Sequence, residues 1–255
     1  MKKDDIIKDF GLVSIIMPSY NSSKYIKETI GSVILQTYKN WELIIVDDCS
    51  TDNSVDVIKQ FDDDRIIVVE NECNSGAAKS RNNAIKKAKG NWIAFLDSDD
   101  LWMCDKLEKQ LSFMSNNSVV FSCTDYKVIS EDGKECSKFS PKKEEYTYKD
   151  ILKHCYVGCS TVIYNVDKLG KVYMPLAEKR EDLACWLTIL RSGEKVYYLH
   201  EFLAKYRLHS RSVSAKKTKM IRYQWNVYRK FEKLSIIKSI YYMIHWAIKG
   251  FLKYR

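Results

Sequence analysis

Short apolar runs alternate with amphipathic stretches through the first hundred residues. Leu12 to Met17 is a nearly continuous apolar run closed by Pro18, and similar runs cover Glu42 to Val46, Arg65 to Val69 and Trp92 to Leu96. Runs of this length between turn-forming residues read as buried strands. Between them, Asn21 to Ser23 offer caps for a helix reaching about Leu35. Cys49 to Ser54 turns into a short helix near Val55 to Phe61, and Gly76 opens a helix to about Lys89 that Gly90 stops. Strand–helix alternation predicts βαβ units and a mainly parallel sheet with flanking helices, an α/β fold. In such a sheet ligands gather beyond the carboxyl ends of the strands, where Pro18, Asp48 and Asp97 fall.

The middle of the chain is less regular. The spacing predicts helices over Lys106 to Met114, Tyr148 to His154 and Arg180 to Arg191, the last with Leu183, Trp186, Leu187 and Leu190 at intervals of three and four. Strands are expected over Val119 to Ile129 and Ser160 to Tyr164, then as two short pieces, Val196 to Leu199 and Phe202 to Arg207.

Composition narrows the class. At 255 residues, 45% hydrophobic and with only 3 prolines, the chain has material for a substantial ordered core. The start, Met1-Lys2-Lys3-Asp4-Asp5, has no apolar signal region, and no stretch reaches the roughly 20 apolar residues of a membrane span. The 8 cysteines include no Cys-x-x-Cys pair and read as reduced thiols of a cytoplasmic protein. His154, Cys155 and Cys159 lack an evident fourth ligand and read as packing groups. Net charge is +9, but the segment from Lys216 to Arg255 alone carries 11 Lys and Arg against one acid, Glu232. The basic excess is a tail, which implies a local anionic partner.

The richest chemistry follows the fourth strand, where Asp97-Ser98-Asp99-Asp100 crowds three acids together. Carboxylates so close repel unless a cation or donors sit among them. Asp-x-Asp in an extended segment puts Asp97 and Asp99 on one side. Such oxygen ligands suit Mg²⁺ or Mn²⁺ shared with a substrate's phosphates. An acidic turn capping the next helix gives the same residues a purely local role.

Several blocks in order resemble the family 2 glycosyltransferases, an inverting group with the GT-A fold, of the type that builds bacterial surface polysaccharide. They are Val13-Ser14-Ile15-Ile16-Met17-Pro18-Ser19-Tyr20-Asn21, Glu42-Leu43-Ile44-Ile45-Val46-Asp47-Asp48-Cys49-Ser50-Thr51-Asp52, Gly76-Ala77-Ala78-Lys79-Ser80-Arg81-Asn82 and Phe95-Leu96-Asp97-Ser98-Asp99-Asp100-Leu101-Trp102. The resemblance spans about Leu12 to Ser214. It implies a Rossmann-like domain over residues 1–214, with a donor half to about 103 and an acceptor half beyond. Pro18, Tyr20 and Asn21 would line the base and ribose pocket, Asp48 would accept from a uracil imide, and Ser98 would join the nucleotide-sugar site. Arg81 would meet the diphosphate with a permanent charge, Asp97 would bind ribose or metal, and Asp99 would bind Mn²⁺ or Mg²⁺.

The resemblance also implies a general base on a Glu-Asp pair at a helix start. Arg180-Glu181-Asp182-Leu183 fits, making Asp182 the base and Glu181 an acceptor-side residue. Complementing the helix dipole would explain the same two acids. In Tyr206-Arg207-Leu208-His209-Ser210, Arg207 and Ser210 become diphosphate contacts and His209 a further metal ligand or a structural histidine. Trp102 and Trp186 become acceptor-side rings, with core packing the alternative for Trp186.

In the tail, Ile237, Ile240, Tyr241, Ile244, Ile248, Phe251 and Leu252 recur at three and four, with Lys238, Lys249, Lys253 and Arg255 largely off that stripe. Residues 215–255 therefore read as a C-terminal amphipathic helical tail on an anionic membrane surface, the inner face of the cytoplasmic membrane, or as a helix packed on protein. The expected reaction moves a sugar from a nucleotide diphosphate, with UDP favoured, to a hydroxyl of a glycan or lipid-linked acceptor in capsule or O-antigen synthesis. A sugar nucleotidyltransferase would want a Gly-rich loop where Pro18-Ser19-Tyr20-Asn21 stands. A non-catalytic nucleotide-sugar or glycan-binding protein would not need Asp97, Asp99 and Asp182. Nucleic acid is not expected, because the tail's apolar stripe fits lipid better than a phosphate backbone.

Overall fold

The computed structural model describes residues 8–209 and 217–252. The N-terminal half is built from β1 (Val13–Ser19), α1 (Ile26–Ile34), β2 (Trp41–Asp47), α2 (Ser54–Ile58), β3 (Ile66–Glu70), α3 (Ala77–Lys87) and β4 (Trp92–Phe95). Strands β3, β2, β1 and β4 lie side by side and all parallel. The strand closed by Pro18 in the sequence reading runs on to Ser19, along β2 only. Ile16 accepts from Leu96 on the β4 side, and Pro18 faces the same way two residues on. Its missing N–H falls beyond the end of β4 and costs no ladder bond.

Next come β5 (Leu101–Trp102), α4 (Lys106–Asn116), β6 (Phe121–Ile129), β7 (Glu135–Phe139), β8 (Glu145–Tyr146), α5 (Tyr148–Lys153), a 3₁₀ turn at Cys159–Thr161, β9 (Ile163–Asn165), α6 (Val166–Leu169), α7 (Glu181–Arg191) and β10 (Val196–Arg207). The sheet continues from β4 through β9, β6 and β10 to β5, with β7 on β6 and β8 on β10. This half is mixed: β6 and β10 are parallel, whereas β9, β7, β8 and β5 pair antiparallel. The two short strands expected near 196–207 are one strand, kinked by register shifts on either side of Phe202. The kinks carry the polar His200-Glu201 break in the pattern.

Both sheet faces are covered. Val13, Ile15, Met17, Leu43 and Ile45 pack with Ile30 and Val33 of α1 and with Leu107 and Leu111 of α4. Ile16, Ile44 and Val46 face Ala84 and Ile85 of α3 and, farther along, Leu183 and Trp186 of α7. Burial on both sides is why these strands read as continuous apolar runs and not as alternation. Gly90 sits where a Cβ would come within 2.5 Å of the Leu12 carbonyl oxygen, so β4 can start against β1 only through glycine.

The C-terminal segment is α8 (Lys217–Asn226), a π-helical turn Val227–Phe231, and α9 (Ile236–Leu252). It is partly built into the body. Val227 and Tyr228 are fully buried, Tyr228 Oη donates to the Leu152 carbonyl at 2.5 Å, and Glu232 accepts from Arg191 at 2.8 Å and from Tyr148. The outer face of α9 is open: Ile237 is 81% exposed, and Ile240, Ile244 and Ile248 about half exposed. Among the described residues no helix is long and apolar enough to cross a membrane. The expected boundary at 214 and the tail's last basic residues, Lys253 and Arg255, lie outside the described residues.

Candidate active site

A cleft of about 550 Å³ opens where β4, β10, the 3₁₀ turn and the start of α7 converge. Arg81, Asp97, Asp99, Glu181, Asp182 and His209 all line it. The fold thus brings together residues from four separate sequence blocks.

Its floor is the acidic turn after β4. Asp100 is buried, accepts from Ser160 Oγ at 2.5 Å and from the Arg207 backbone N–H at 2.9 Å, and anchors the turn to β10. Burial, then the charges of Asp99 and Asp97, push its carboxyl well above the usual range. Ser160 Oγ also accepts from the Asp97 N–H at 3.1 Å, while its carbonyl accepts from Trp102 Nε1 at 2.7 Å. Neither supporting role of Asp100 and Ser160 has a sequence signal, because the partners lie 60 residues apart.

Asp99 is held up by burial, then by Asp97, against the favourable neighbour His209. His209 Nε2 and Asp99 Oδ2 are 2.7 Å apart, and the imidazole stacks on Tyr25 with ring centroids 5.5 Å apart. Two groups that meet this closely are aimed at one point. An imidazole nitrogen and a carboxylate oxygen are both atoms that a divalent cation takes as ligands. Among the described residues no third His, Cys, Asp or Glu completes a metal cluster.

Arg81, expected at the diphosphate, is held here between two carboxylates. Its side chain is 7% exposed, and it donates to Asp97 at 2.5 Å and to Glu181 at 3.1 Å. It joins the acidic turn of one half to the start of α7 in the other. Arg207 is likewise committed: it is buried and donates from Nε to the Asp99 carbonyl at 2.9 Å, from Nη1 to the Glu131 carbonyl at 3.2 Å and from Nη2 to Glu28 at 2.7 Å. Ser210, the other diphosphate candidate, lies outside the described residues.

Glu181 and Asp182 open α7. One Asp182 oxygen accepts from the Leu183 N–H at 2.7 Å, so the acid does complement the helix start. Its second oxygen has no protein partner among the described residues, and the residue lines the cleft.

The two tryptophans correct another expectation. Trp102 is 4% exposed and Trp186 fully buried, the latter packed on Phe95 and Phe121 with ring centroids 5.4 and 5.6 Å apart. Neither ring presents an exposed face. The intervals of three and four around Trp186 already carried that answer.

Pro18, Tyr20, Asn21 and Asp48 gather at the exits of β1 and β2. Tyr20 is half exposed and offers an open ring face. Asn21, at φ 49°, accepts from the Thr51 N–H at 2.8 Å and so shapes the neighbouring loop. Asp48 accepts from the N–H groups of Ser75 and Gly76 at 2.9 and 2.7 Å and from Asn71 at 2.8 Å. Burial works against these bonds, yet the carboxyl is held below its usual range. Its oxygens are spent on the loop that launches α3. Ser98 supports the acidic turn by its backbone, its carbonyl accepting from Thr29 Oγ1 at 3.0 Å.

Comparison with known proteins adds three findings. A sequence profile described as glycosyl transferase family 2 matches residues 14–165. The chain is 46% identical over 238 residues to TuaG of Bacillus subtilis, a protein named for glycosyl transfer in teichuronic acid biosynthesis, covering 92% of this chain and 94% of that one. It is 40% identical over 244 residues, 95% of each, to WfgD of Escherichia coli, named a UDP-Glc:α-D-GlcNAc-diphosphoundecaprenol β-1,3-glucosyltransferase. Among solved structures, residues 1–349 of S. aureus TarS in complex with UDP-GlcNAc superpose with a TM-score of 0.69 at 23% identity, covering 91% of this chain and 70% of that one, a likeness of fold.

Proposed function

The chain belongs to glycosyl transferase family 2, and on that premise we propose that it moves a sugar from a UDP-sugar to a hydroxyl of a lipid-linked glycan, with inversion at the anomeric carbon. The observation that carries this reading is the cleft itself. The acidic turn after β4 and His209 after β10 line it together with Asp182 at the start of α7, whose second oxygen has no protein partner among the described residues. The donor preference follows the TarS complex with UDP-GlcNAc and the UDP-Glc donor named for WfgD. The acceptor class follows WfgD, which is named for a diphosphoundecaprenol-linked sugar.

Tyr20 stacks on the base, with Pro18 and Asn21 shaping the exit of β1 around it. Asp48 acts there through the loop it holds and not through a free carboxylate. Asp99 and His209 would hold a divalent cation, Mn²⁺ or Mg²⁺, which supplies Lewis-acid stabilisation to the charge developing on the departing diphosphate. Asp97 is fixed by Arg81 and bounds the sugar side. Asp182 takes the proton of the acceptor hydroxyl as its oxygen attacks the anomeric carbon opposite the diphosphate. Attack from the face opposite the leaving group gives the inversion. Glu181, tied to Arg81, sets the height of α7 relative to the acidic turn.

The half-exposed isoleucine row of α9, flanked by Lys238 and Lys249, serves to hold the enzyme on an anionic leaflet where a lipid-linked acceptor is met. In this reading the enzyme works at the inner face of the cytoplasmic membrane, in synthesis of a surface polysaccharide such as capsule or O-antigen.

The test is release of UDP from a panel of UDP-sugars, with a lipid-diphosphate-linked sugar as acceptor, in Mn²⁺ and in EDTA. Metal-dependent, acceptor-stimulated release from one donor is expected. Release unaffected by EDTA would remove the metal from the account, and UDP-binding without turnover on any donor would leave a binding protein.

A further inference from the structure

The C-terminal segment does more than present α9. Arg180, the residue just before the Glu181–Asp182 pair, lies in the left-handed region at φ 69° and ψ 25°, where a residue with a side chain is strained. Its carbonyl nevertheless accepts the first helical bond of α7, from the Ala184 N–H at 3.1 Å. Arg180 Nη2 donates to Gln224 Oε1 of α8 at 2.7 Å, across 44 residues of sequence. Gln224 is 1% exposed, in the same buried patch as the fully buried Tyr228. A second tie from α8 reaches the same loop, Tyr223 Oη donating to Glu178 at 3.3 Å. The far end of α7 is strapped as well, through Arg191 and Glu232.

We infer that Gln224 is a positioning residue for transfer: by gripping the Arg180 guanidinium it holds the left-handed turn that sets Glu181 against Arg81 and Asp182 in the cleft. The inference rests on the transferase reading above and adds a residue of the tail to it. Gln224 reaches neither substrate nor metal and acts only through Arg180. The C-terminal segment thereby carries both α9 and the grip on the turn that precedes Asp182.

Two variant sets and one exchange measurement test this. Gln224→Ala is expected to lower kcat at least tenfold while the KM for the sugar donor stays within twofold, since the donor is held elsewhere. Arg180→Ala and Arg180→Gly both delete the guanidinium, but only glycine adopts the left-handed turn without strain. The alanine variant should therefore lose at least fivefold more kcat than the glycine variant. Amide hydrogen exchange over residues 180–184 reads the turn without turnover, and Gln224→Ala should lose tenfold or more protection there.

Gln224→Ala with kcat within twofold of the native enzyme overturns the inference. Equal losses for alanine and glycine also overturn it, because they would make the guanidinium itself the functional group. Unchanged exchange in Gln224→Ala overturns it even if the native chain transfers sugar to no acceptor tried. A silent native chain whose turn does loosen in Gln224→Ala counts against the transferase reading alone and upholds the clamp. Should Gln224→Ala fail to fold, the alanine–glycine contrast at the more exposed Arg180 decides.

Discussion

Replacing Arg81 with alanine separates two roles that the sequence left merged. If the guanidinium were a free arm for the diphosphate, its loss would weaken nucleotide binding and leave the fold unmoved. The geometry gives it a different task, since it is 7% exposed and pairs Asp97 and Glu181, whose side chains are 29% and 13% exposed. Deleting one partner of a buried pair costs roughly 3–5 kcal/mol, because the remaining charge is stranded. Water already reaches Asp97, so the lower end, about 3 kcal/mol, is the figure to expect. At roughly 2–4 °C per kcal/mol for a chain of this size, Tm should fall by about 6–12 °C.

Scanning calorimetry of Arg81→Ala beside the native chain measures this directly. The triple variant Arg81→Met, Asp97→Asn, Glu181→Gln removes every charge of the group and should recover most of the lost Tm, although it will not transfer sugar. A Tm within about 2 °C of native for Arg81→Ala, with UDP affinity reduced, would refute the keystone role and return Arg81 to the diphosphate. Failure of the triple variant to recover would show that the cost is lost packing and not stranded charge.

Other consequences can be read off the structure. Asp150 closes a capping box with Thr147 at the start of α5, and although burial raises its pKa, the bonds from Thr147 and Lys143 win and hold it at about 2. Because that lies below the unfolded value of 3.8, its contribution is complete above about pH 4 and fades as the pH falls toward 2, so Asp150→Asn should cost about 1–2 kcal/mol in urea unfolding at pH 7 and almost nothing near pH 2. An equal loss at both would refute this. Lys106 is fully buried, its Nζ lies 4.0 Å from the Trp102 ring with no hydrogen-bond acceptor among the described residues, and burial holds its pKa well below 10.5. Between its lowered folded value and 10.5 the unfolded chain binds a proton there that the folded chain does not, so native stability should rise with pH across that interval; Lys106→Met should stabilise by about 1–3 kcal/mol at pH 7, with the gain shrinking by pH 10, as denaturant midpoints will report. Changing Ile237, Ile240, Ile244 and Ile248 together to serine should abolish flotation with vesicles rich in anionic lipid and leave Tm within about 2 °C, given exposures between 48% and 81%. Unchanged flotation would refute the lipid role of α9.

The N-terminal half was legible because its strands are buried on both faces and its helices on one, so each element wrote its own period into the sequence. Strands β5, β7 and β8 were not legible, for two of them are 2 residues long and β7 is mostly exposed, leaving no apolar period to read. The acids stand out in the sequence because motif order carries them, whereas their supports do not. Arg81 paired with Glu181, Arg207 with Glu28, Ser160 with Asp100 and Arg180 with Gln224 are separated by 100, 179, 60 and 44 residues. Only the folded sheet brings such pairs together. Trp186 shows the opposite case, where its spacing said core and the analogy to sugar-binding rings said otherwise.

The central claim is that Asp182 takes the acceptor's proton while other groups hold the donor. The most direct test is Asp182→Asn, measured for transfer to a lipid-diphosphate-linked sugar and, in the same preparation, for UDP affinity in Mn²⁺. The account predicts transfer reduced at least a thousandfold, on the order expected for loss of a general base, with UDP affinity within about twofold because other residues hold the donor. Transfer retained within tenfold would contradict it and put the base elsewhere in the cleft.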